Sequence, residues 1–155
     1  MKIIIDDLAN GAVLQLLEEH LADMYATSPP ESVHALDVNA LKHPSITFYS
    51  AWETANNEKK LLGCVALKKL TPEHAEIKSM RTTVLARKKG VASNLLDHLI
   101  FQAKTLGFKQ LSLETGSMDF FKPARSLYEK YQFAYCQPFG DYQLDVNSQF
   151  MTREI

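Results

Sequence analysis

The middle of the chain has the pattern of a strand, a helix and a second strand, which restricts the fold more than any other segment. Ala75 to Val84 has the β-branched, extended pattern of a strand, and an amphipathic stretch runs from Gly90 to Leu106. Gly107 suits the end of that helix, because glycine readily adopts the left-handed conformation of a C′ position. Gln110 to Thr115 is again typical of a strand. Such a β-α-β crossover predicts two neighbouring parallel strands.

The segments on either side predict a mixed α/β domain. Before the crossover, periodicity and turn residues predict three strands, two helices and a hairpin loop: Lys2–Ile5, a helix that ends at Ser28-Pro29-Pro30, Val38–Leu41, Ile46–Trp52, the loop Glu53–Lys60, and Leu61–Lys69. After it they predict one helix and two strands: Pro123–Tyr131, Phe133–Gln137 and Gln149–Thr152. We expect one domain over residues 1–155, an α/β (α+β) fold with about six to seven strands and about four helices.

Composition excludes several classes of protein. A formal charge of −1 argues against a nucleic-acid binder or a binder of anionic membranes, which would need a basic face. No apolar run approaches the roughly 20 residues of a membrane-spanning helix, and the N-terminus lacks the pattern of a signal peptide. Cys64 and Cys136 fall in strand-like runs without metal-type spacing. They are typical of buried packing residues in a reducing compartment, so we expect a cytoplasmic protein without a metal site.

A cationic cluster enters the predicted helix after the first strand of the crossover, with the sequence Arg87-Lys88-Lys89-Gly90-Val91-Ala92. A glycine turn that opens a helix presents unpaired backbone N–H groups and the positive end of the helix dipole. Three preceding cations favour a doubly charged phosphate ligand, such as a pyrophosphate. The alternative is a solvated basic loop before an ordinary helix, and the strand–turn–helix context favours the anion site over it.

This cluster and the order of the elements resemble the GNAT superfamily of N-acetyltransferases. The family's phosphate loop has Arg or Gln, two residues, Gly, one residue, and Gly or Ala, which residues 87–92 match in full. Further along, four residues match the family pattern Ala-x-x-Leu-Tyr…Phe: Ala124, Leu127, Tyr128 and Phe133. Two positions depart from the family, since Phe121 replaces a frequent Asn and Gln132 a frequent Gly. The resemblance covers essentially the whole chain. Residues 76–82, 114–117 and 150–152 also resemble a bacterial branch of small, uncharacterised acetyltransferases.

The resemblance implies acetyl-coenzyme A as the co-substrate. Its pyrophosphate would lie against the backbone of residues 88–92, and its pantetheine arm would pair with the edge of the fourth strand around residues 80–82. The residues implied in cofactor binding are Met80, Arg81, Thr82, Arg87, Lys88, Lys89, Gly90, Val91, Ala92, Ser93, Phe121 and Ala124.

The resemblance also implies transfer of the acetyl group to a primary amine of a small molecule or peptide, by direct attack on the thioester. Tyr128 stands where the family commonly has a tyrosine that protonates the departing thiolate; alternatively it packs the helix on the sheet. Glu76 stands where several members have a general base; alternatively it is a solvent-facing glutamate paired with Lys68 or Lys78. Glu114, at the end of the fifth strand, could bind a cationic acceptor.

A second hypothesis is a module that binds an acyl-CoA without turning it over, as a sensor or a subunit. Both hypotheses use the phosphate loop, but a pure binder needs neither Tyr128 nor Glu76. A nucleotide-binding βαβ domain is disfavoured, because the Gly-x-Gly-x-x-Gly and Gly-Lys-Ser/Thr fingerprints are absent. The segments expected to shape the acceptor pocket, residues 25–45 and 137–148, show no recognisable chemistry.

The final strands also predict an interaction surface. They contain four aromatic residues with an exposed pattern: Tyr135, Phe139, Tyr142 and Phe150. Because an unpaired sheet edge and exposed aromatics favour association, we expect a homodimer.

Overall fold

The computed structural model describes all 155 residues and contains one seven-stranded sheet. In chain order the strands are β1 (Lys2–Ile5), β2 (Ile46–Ala55), β3 (Glu58–Thr71), β4 (His74–Thr82), β5 (Gln110–Gly116), β6 (Ala134–Cys136) and β7 (Ser148–Glu154). Across the sheet their order is β1-β2-β3-β4-β5-β7-β6. Every neighbouring pair is antiparallel except β4 and β5, as the central crossover predicts.

Four helices accompany the sheet: α1 (Gly11–Thr27), α2 (Val38–Leu41), α3 (Val91–Thr105) and α4 (Lys122–Lys130). The side chain of Asn10 caps α1 by accepting from the Ala12 N–H, and Pro123 lies in the first turn of α4 as predicted. Gly107 follows α3 with φ +91°, which confirms its assignment as the terminating glycine. The predicted mixed fold is therefore confirmed. None of the helices combines the length and the apolar character needed to cross a membrane.

The two faces of the sheet bury different helices. Buried residues of α1 and α2 pack against three sheet residues on one face: Phe48, Cys64 and Ala66. On the other face α3 and α4 pack against a larger cluster that includes Val65, Leu67, Ile77, Leu111 and Leu113. This alternation along β3, with Cys64 and Val65 on opposite faces, is the period-two pattern of a strand that is buried on both sides.

A gap opens in the sheet between β4 and β5. The two strands pair only along their first four residues, from His74–Gln110 to Ile77–Leu113. Immediately afterwards, between Lys78 and Arg81, the pairing register of β4 with β3 shifts, and Ser79 has φ +54°. This β-bulge bends β4 away, while β5 stays paired with β7 as far as Gly116. The two strands therefore diverge, and a V-shaped space lies between them.

Several sequence predictions need correction. Residues 53–60 are not a loop, because β2 and β3 run through them to a two-residue turn at Asn56-Asn57 with φ +53° and +64°. Asparagine tolerates this left-handed conformation, which two-residue hairpin turns require. The fourth strand ends at Thr82, since residues 84–86 form a 3₁₀ turn, and β7 extends beyond the predicted range at both ends. Cys64 is buried as predicted, whereas Cys136 is half-buried.

The predicted exposed aromatic face is also largely wrong. Tyr135 is exposed, but Phe150 is buried, and Phe139 and Tyr142 are half-buried. The rings of Phe139 and Tyr142 contact each other with centroids 5.1 Å apart, and Tyr142 contacts Phe150 at 5.4 Å. These three aromatics form an internal cluster between the β6–β7 loop and the sheet, although β6 itself remains an unpaired sheet edge.

Candidate active site

The gap between β4 and β5 holds a cleft of about 600 Å³. The cleft continues from the sheet to the N-terminus of α3 on one side, and to α1 and the β6–β7 loop on the other. Every residue that the sequence predicted for cofactor binding or catalysis lines it, with the exception of Lys89. The fold therefore brings together side chains from β4, α3, β5 and α4 that are far apart in the sequence.

At one end of the cleft, Gly90 is the N-cap of α3 and has φ +80°. Glycine offers no capping side chain, and none of the backbone N–H groups of residues 88–93 donates a hydrogen bond to another group of the protein. The exposed side chains of Arg87 and Lys88 line the cleft beside these N–H groups. Lys89 is also exposed but does not line the cleft. Free donors, a helix N-terminus and two cations can together hold a phosphate group.

Along the cleft, β4 offers a free strand edge. No residue of β4 after Ile77 pairs with β5, so the edge from Ser79 to Thr82 is open on that side. The side chain of Arg81 is already committed, since its Nη1 lies 2.8 Å from Oδ2 of Asp23 on α1. A ligand along this edge would therefore meet the backbone of Arg81 rather than its guanidinium.

Tyr128 projects from α4 to the apex of the gap. Its ring is buried, 7% exposed, and packs against Phe133 with centroids 5.8 Å apart. Its hydroxyl donates to Sδ of Met80 over 3.4 Å, on the free edge of β4. Burial, together with the nearby charge of Glu114, raises the pKa of Tyr128, so the phenol is protonated at neutral pH. The residue thus packs the helix and also directs a proton donor into the cleft.

Glu76 lies on β4 at the point where the strands diverge. It is buried, 3% exposed, and Oε2 accepts from Lys78 Nζ at 3.2 Å and from the Tyr142 hydroxyl at 2.5 Å. Lys78 Nζ also donates to the Tyr142 hydroxyl at 2.8 Å, which closes a three-residue network. The solvent-facing alternative is therefore wrong about exposure but right about Lys78; Lys68 lies opposite Glu76 in the register and does not pair with it.

Glu114 lies on β5 beyond the point of divergence and is half-buried. Burial raises its pKa to about 7, although the hydroxyl of Ser148 and the charge of Lys78 oppose this rise. On the facing wall, His20 of α1 is half-buried, and burial lowers its pKa to about 4, so it is neutral near pH 7. No group of His, Cys, Asp or Glu side chains is arranged to hold a metal ion.

Two further residues of this site were not among the predicted catalytic residues, although Lys78 was considered as an alternative partner of Glu76 and Tyr142 lies in a segment expected to shape the acceptor pocket. Lys78 stands two residues after Glu76 on the same strand, and the period of two predicts that both side chains share a face. This pattern supports the pairing with Lys78 that we considered as an alternative, but it does not indicate that the pair is buried. Tyr142 lies in the irregular β6–β7 loop, where no periodicity indicates which way a side chain points, so its contact with Glu76 had no such signal.

Comparison with known proteins agrees with this architecture. The model of the acetyltransferase (GNAT) family matches residues 13–133. The chain is 52% identical, over 155 residues that cover 100% of both chains, to the uncharacterized N-acetyltransferase YsnE of Bacillus subtilis (strain 168). Among solved structures, a candidate acyl-CoA N-acyltransferase from Klebsiella pneumoniae aligns with a TM-score of 0.77 at 19% identity, covering 99% of this chain and 96% of that one. A GNAT acetyltransferase from Elizabethkingia anophelis, solved with acetyl-CoA bound, aligns with a TM-score of 0.66 at 22% identity, covering 99% and 97%.

Proposed function

Since the chain belongs to the GNAT acetyltransferase family, we propose that it transfers the acetyl group of acetyl-coenzyme A to a primary amine of a small molecule or peptide. One observation carries the proposal: the unpaired N–H groups of residues 88–93, the free edge of β4 and the Tyr128 hydroxyl lie along a single cleft. Acetyl-coenzyme A consists of a pyrophosphate, an arm that contains amides, and a thioester, linked in that order. The phosphate site, the free strand edge and the proton donor follow one another along the cleft in the same order.

The cofactor would bind from its phosphates inward. The pyrophosphate accepts hydrogen bonds from the N–H groups around Gly90, and Arg87 and Lys88 add attraction from partly solvated positions. The pantetheine arm is a chain of amides, and it pairs with the open edge from Ser79 to Thr82 in the manner of an added strand. This arrangement leads the thioester to the apex of the gap, next to Tyr128. The same-fold protein that was solved with acetyl-CoA bound supports this choice of cofactor.

The transfer itself requires the amine to be neutral before it attacks. The ammonium of the acceptor loses one proton, and its nitrogen then forms a bond with the carbonyl carbon of the thioester. The tetrahedral intermediate loses a second proton from nitrogen and breaks its carbon–sulfur bond. Tyr128 protonates the departing sulfur and is itself reprotonated from the nitrogen or from water, so that one proton is released to solvent overall. The sulfur of Met80, which now accepts from the hydroxyl, is a weak acceptor that a developing thiolate would displace.

The acceptor would enter from the other side of the sheet. There the cleft is walled by α1, by residues 32–35 and by the β6–β7 loop, which carries Tyr142. A base in this half of the cleft is needed to take the first proton, and Glu76 is the residue predicted for that role from the sequence. We place the reaction in the cytoplasm, where acetyl-CoA is available.

The proposal is tested by measuring free coenzyme A with a thiol reagent while purified protein and acetyl-CoA are mixed with a panel of primary amines. Suitable probes are lysine, spermidine, tyramine, glycinamide and a tripeptide with a free N-terminus. We expect amine-dependent release of coenzyme A with at least one probe, and an acetylated product of the corresponding mass. Tight binding of acetyl-CoA by calorimetry without release for any probe would instead support the non-catalytic binder.

A further inference from the structure

Only two carboxylates line the cleft, Glu76 and Glu114, and their surroundings differ. The negative charge of Glu76 is balanced by the ion pair with Lys78, and its carboxylate also accepts a hydrogen bond from the Tyr142 hydroxyl. The only other ion pair of the protein joins Arg81 to Asp23. Glu114 therefore faces the cleft without an ion-pair partner, although the charge of Lys78 acts on it, and the hydroxyl of the neighbouring Ser148 is buried without a hydrogen-bond partner. An unpaired carboxylate in a partly desolvated cleft favours a cationic ligand.

The position of Glu114 also suits the acceptor side of the gap. Side chains alternate along β5, and Leu113 packs in the same core cluster as Tyr128. Glu114 consequently projects from the opposite face, towards the half of the cleft that α1 and the β6–β7 loop enclose. Tyr128, a proton donor, and Glu114, an unpaired carboxylate, thus lie on opposite sides of the gap. This arrangement suits a reaction in which an amine attacks the thioester from one side and the sulfur departs on the other.

We propose that Glu114 is the general base of the transfer. Its carboxylate accepts a hydrogen bond from the ammonium of the acceptor and takes one proton, and the resulting neutral amine then attacks the carbonyl carbon. The proton on Glu114 returns to solvent after the product leaves. This inference rests on the proposed acetyl transfer, and it assigns Glu76 a positioning role, in which its carboxylate holds Lys78 and Tyr142 in the wall of the cleft.

Titration of the neighbouring groups supports this assignment. Burial raises the pKa of Glu114 to about 7, while Ser148 and Lys78 lower it and Glu76 and Asp145 raise it further. A carboxylate with this pKa is a stronger base than an exposed one and is still substantially ionised near pH 7. The histidines of the cleft titrate at lower pH, because burial lowers the pKa of His20 to about 4 and also lowers that of His34. An acid limb near pH 7 in kcat/KM is therefore expected to belong to Glu114.

The test compares the pH dependence of kcat/KM for the wild type, Glu114→Gln and Glu76→Gln, using the most active amine of the panel. In the wild type, kcat/KM should rise with pH through about 7. Glu114→Gln should lower kcat/KM at pH 7.5 by about a hundredfold or more and abolish the acid limb, with unchanged affinity for acetyl-CoA by calorimetry. Glu76→Gln should keep the acid limb of kcat/KM near pH 7, even if kcat/KM is lower than in the wild type. In Glu114→Ala, added formate should partly restore turnover, which a merely structural role would not allow.

Two results would overturn the inference, and they are distinguishable. If the wild type releases coenzyme A but the limb persists in Glu114→Gln and disappears in Glu76→Gln, Glu76 is the base and the proposed function stands. If the wild type binds acetyl-CoA and acetylates none of the amines, the proposed function fails, and the assignment of Glu114 fails with it.

Discussion

Replacing Gly90 by glutamate tests the phosphate site most directly. Gly90 has φ +80°, and a Cβ added there would meet no atom within 4 Å, so the start of a side chain meets no steric obstacle in the free protein. The cost to folding is confined to the left-handed backbone, about 1 to 2 kcal/mol for a residue with a Cβ. The new carboxylate, however, lies at the helix N-terminus, where we place the pyrophosphate.

The expected loss of affinity follows from electrostatics. Two unit charges about 5 Å apart repel by about 1 kcal/mol in water and about 3 kcal/mol at the effective dielectric constant of a protein surface. These values correspond to roughly five- to 150-fold weaker binding of acetyl-CoA. Gly90→Gln has nearly the same shape without the charge, so it should retain more affinity than Gly90→Glu. The difference between the two variants should shrink as salt is added, because ions screen exposed charges.

Gly107 supplies a matched control. It has φ +91°, it is exposed like Gly90, and an added Cβ would likewise meet nothing within 4 Å. Gly107→Glu therefore carries the same backbone strain and the same charge at the opposite end of α3. Both variants carry a backbone strain, and Gly107→Glu should lose more stability in urea denaturation, because a negative charge is unfavourable at the C-terminus of a helix and favourable at its N-terminus. Only Gly90→Glu should lose affinity for acetyl-CoA in isothermal titration calorimetry. Equal affinity in the two folded variants would refute the phosphate-loop assignment.

Three further predictions concern other parts of the molecule. Tyr128→Phe should lower kcat at least tenfold with little change in the KM of the amine, because general acid catalysis typically contributes a factor of about a hundred or more; Tyr131→Phe, which loses a hydroxyl bonded to the Ser93 carbonyl at 3.1 Å, is the control. Wild-type turnover in Tyr128→Phe would remove this residue from the mechanism. Gly116→Ala should destabilise the protein by about 1 to 3 kcal/mol in urea denaturation, since the new Cβ would lie 2.1 Å from the Phe121 ring. The same substitution should cost less in a Phe121→Ala background than in the wild type, and purely additive effects would contradict the clash. The homodimer stays a prediction that rests on the unpaired β6 edge and the exposed Tyr135, and a monomeric mass by light scattering at tens of micromolar protein would contradict it.

The fold could be predicted from local signals because each of them had a single structural meaning. The crossover from β4 through α3 to β5 followed from periodicity, and Gly107 fixed the end of the helix. The strand ends were less predictable, since polar residues at 53–60 continue a solvent-exposed hairpin as readily as they form a loop. The register shift that bends β4 at Ser79 depends on tertiary packing, and serine carries no local preference for the left-handed conformation observed there.

The candidate site divides in the same way. Residues 87–92 form a contiguous turn whose chemistry resides in the backbone, so the sequence pattern alone predicted where free N–H groups would lie. The acceptor half of the cleft is assembled from α1, β4, β5 and the β6–β7 loop, and its properties arise from pairings across long sequence distances. Glu76 is paired with Lys78, which the period of two places on the same face of β4, whereas the contact of Glu76 with Tyr142 joins residues that are 66 positions apart. No local pattern encodes that second contact.

The bulge at Ser79 links the two halves of the site. Without it, β4 and β5 would remain paired beyond Ile77, and the donors and acceptors of β4 would be consumed by the sheet. The bend frees that edge for an extended amide ligand, and it also separates Lys78 and Glu76 from Glu114 on the neighbouring strand. The same local irregularity thus creates the binding edge on one side and leaves one carboxylate without a partner on the other. For this reason we regard the divergence of β4 and β5, rather than any single side chain, as the feature from which both the proposed cofactor site and the proposed base derive.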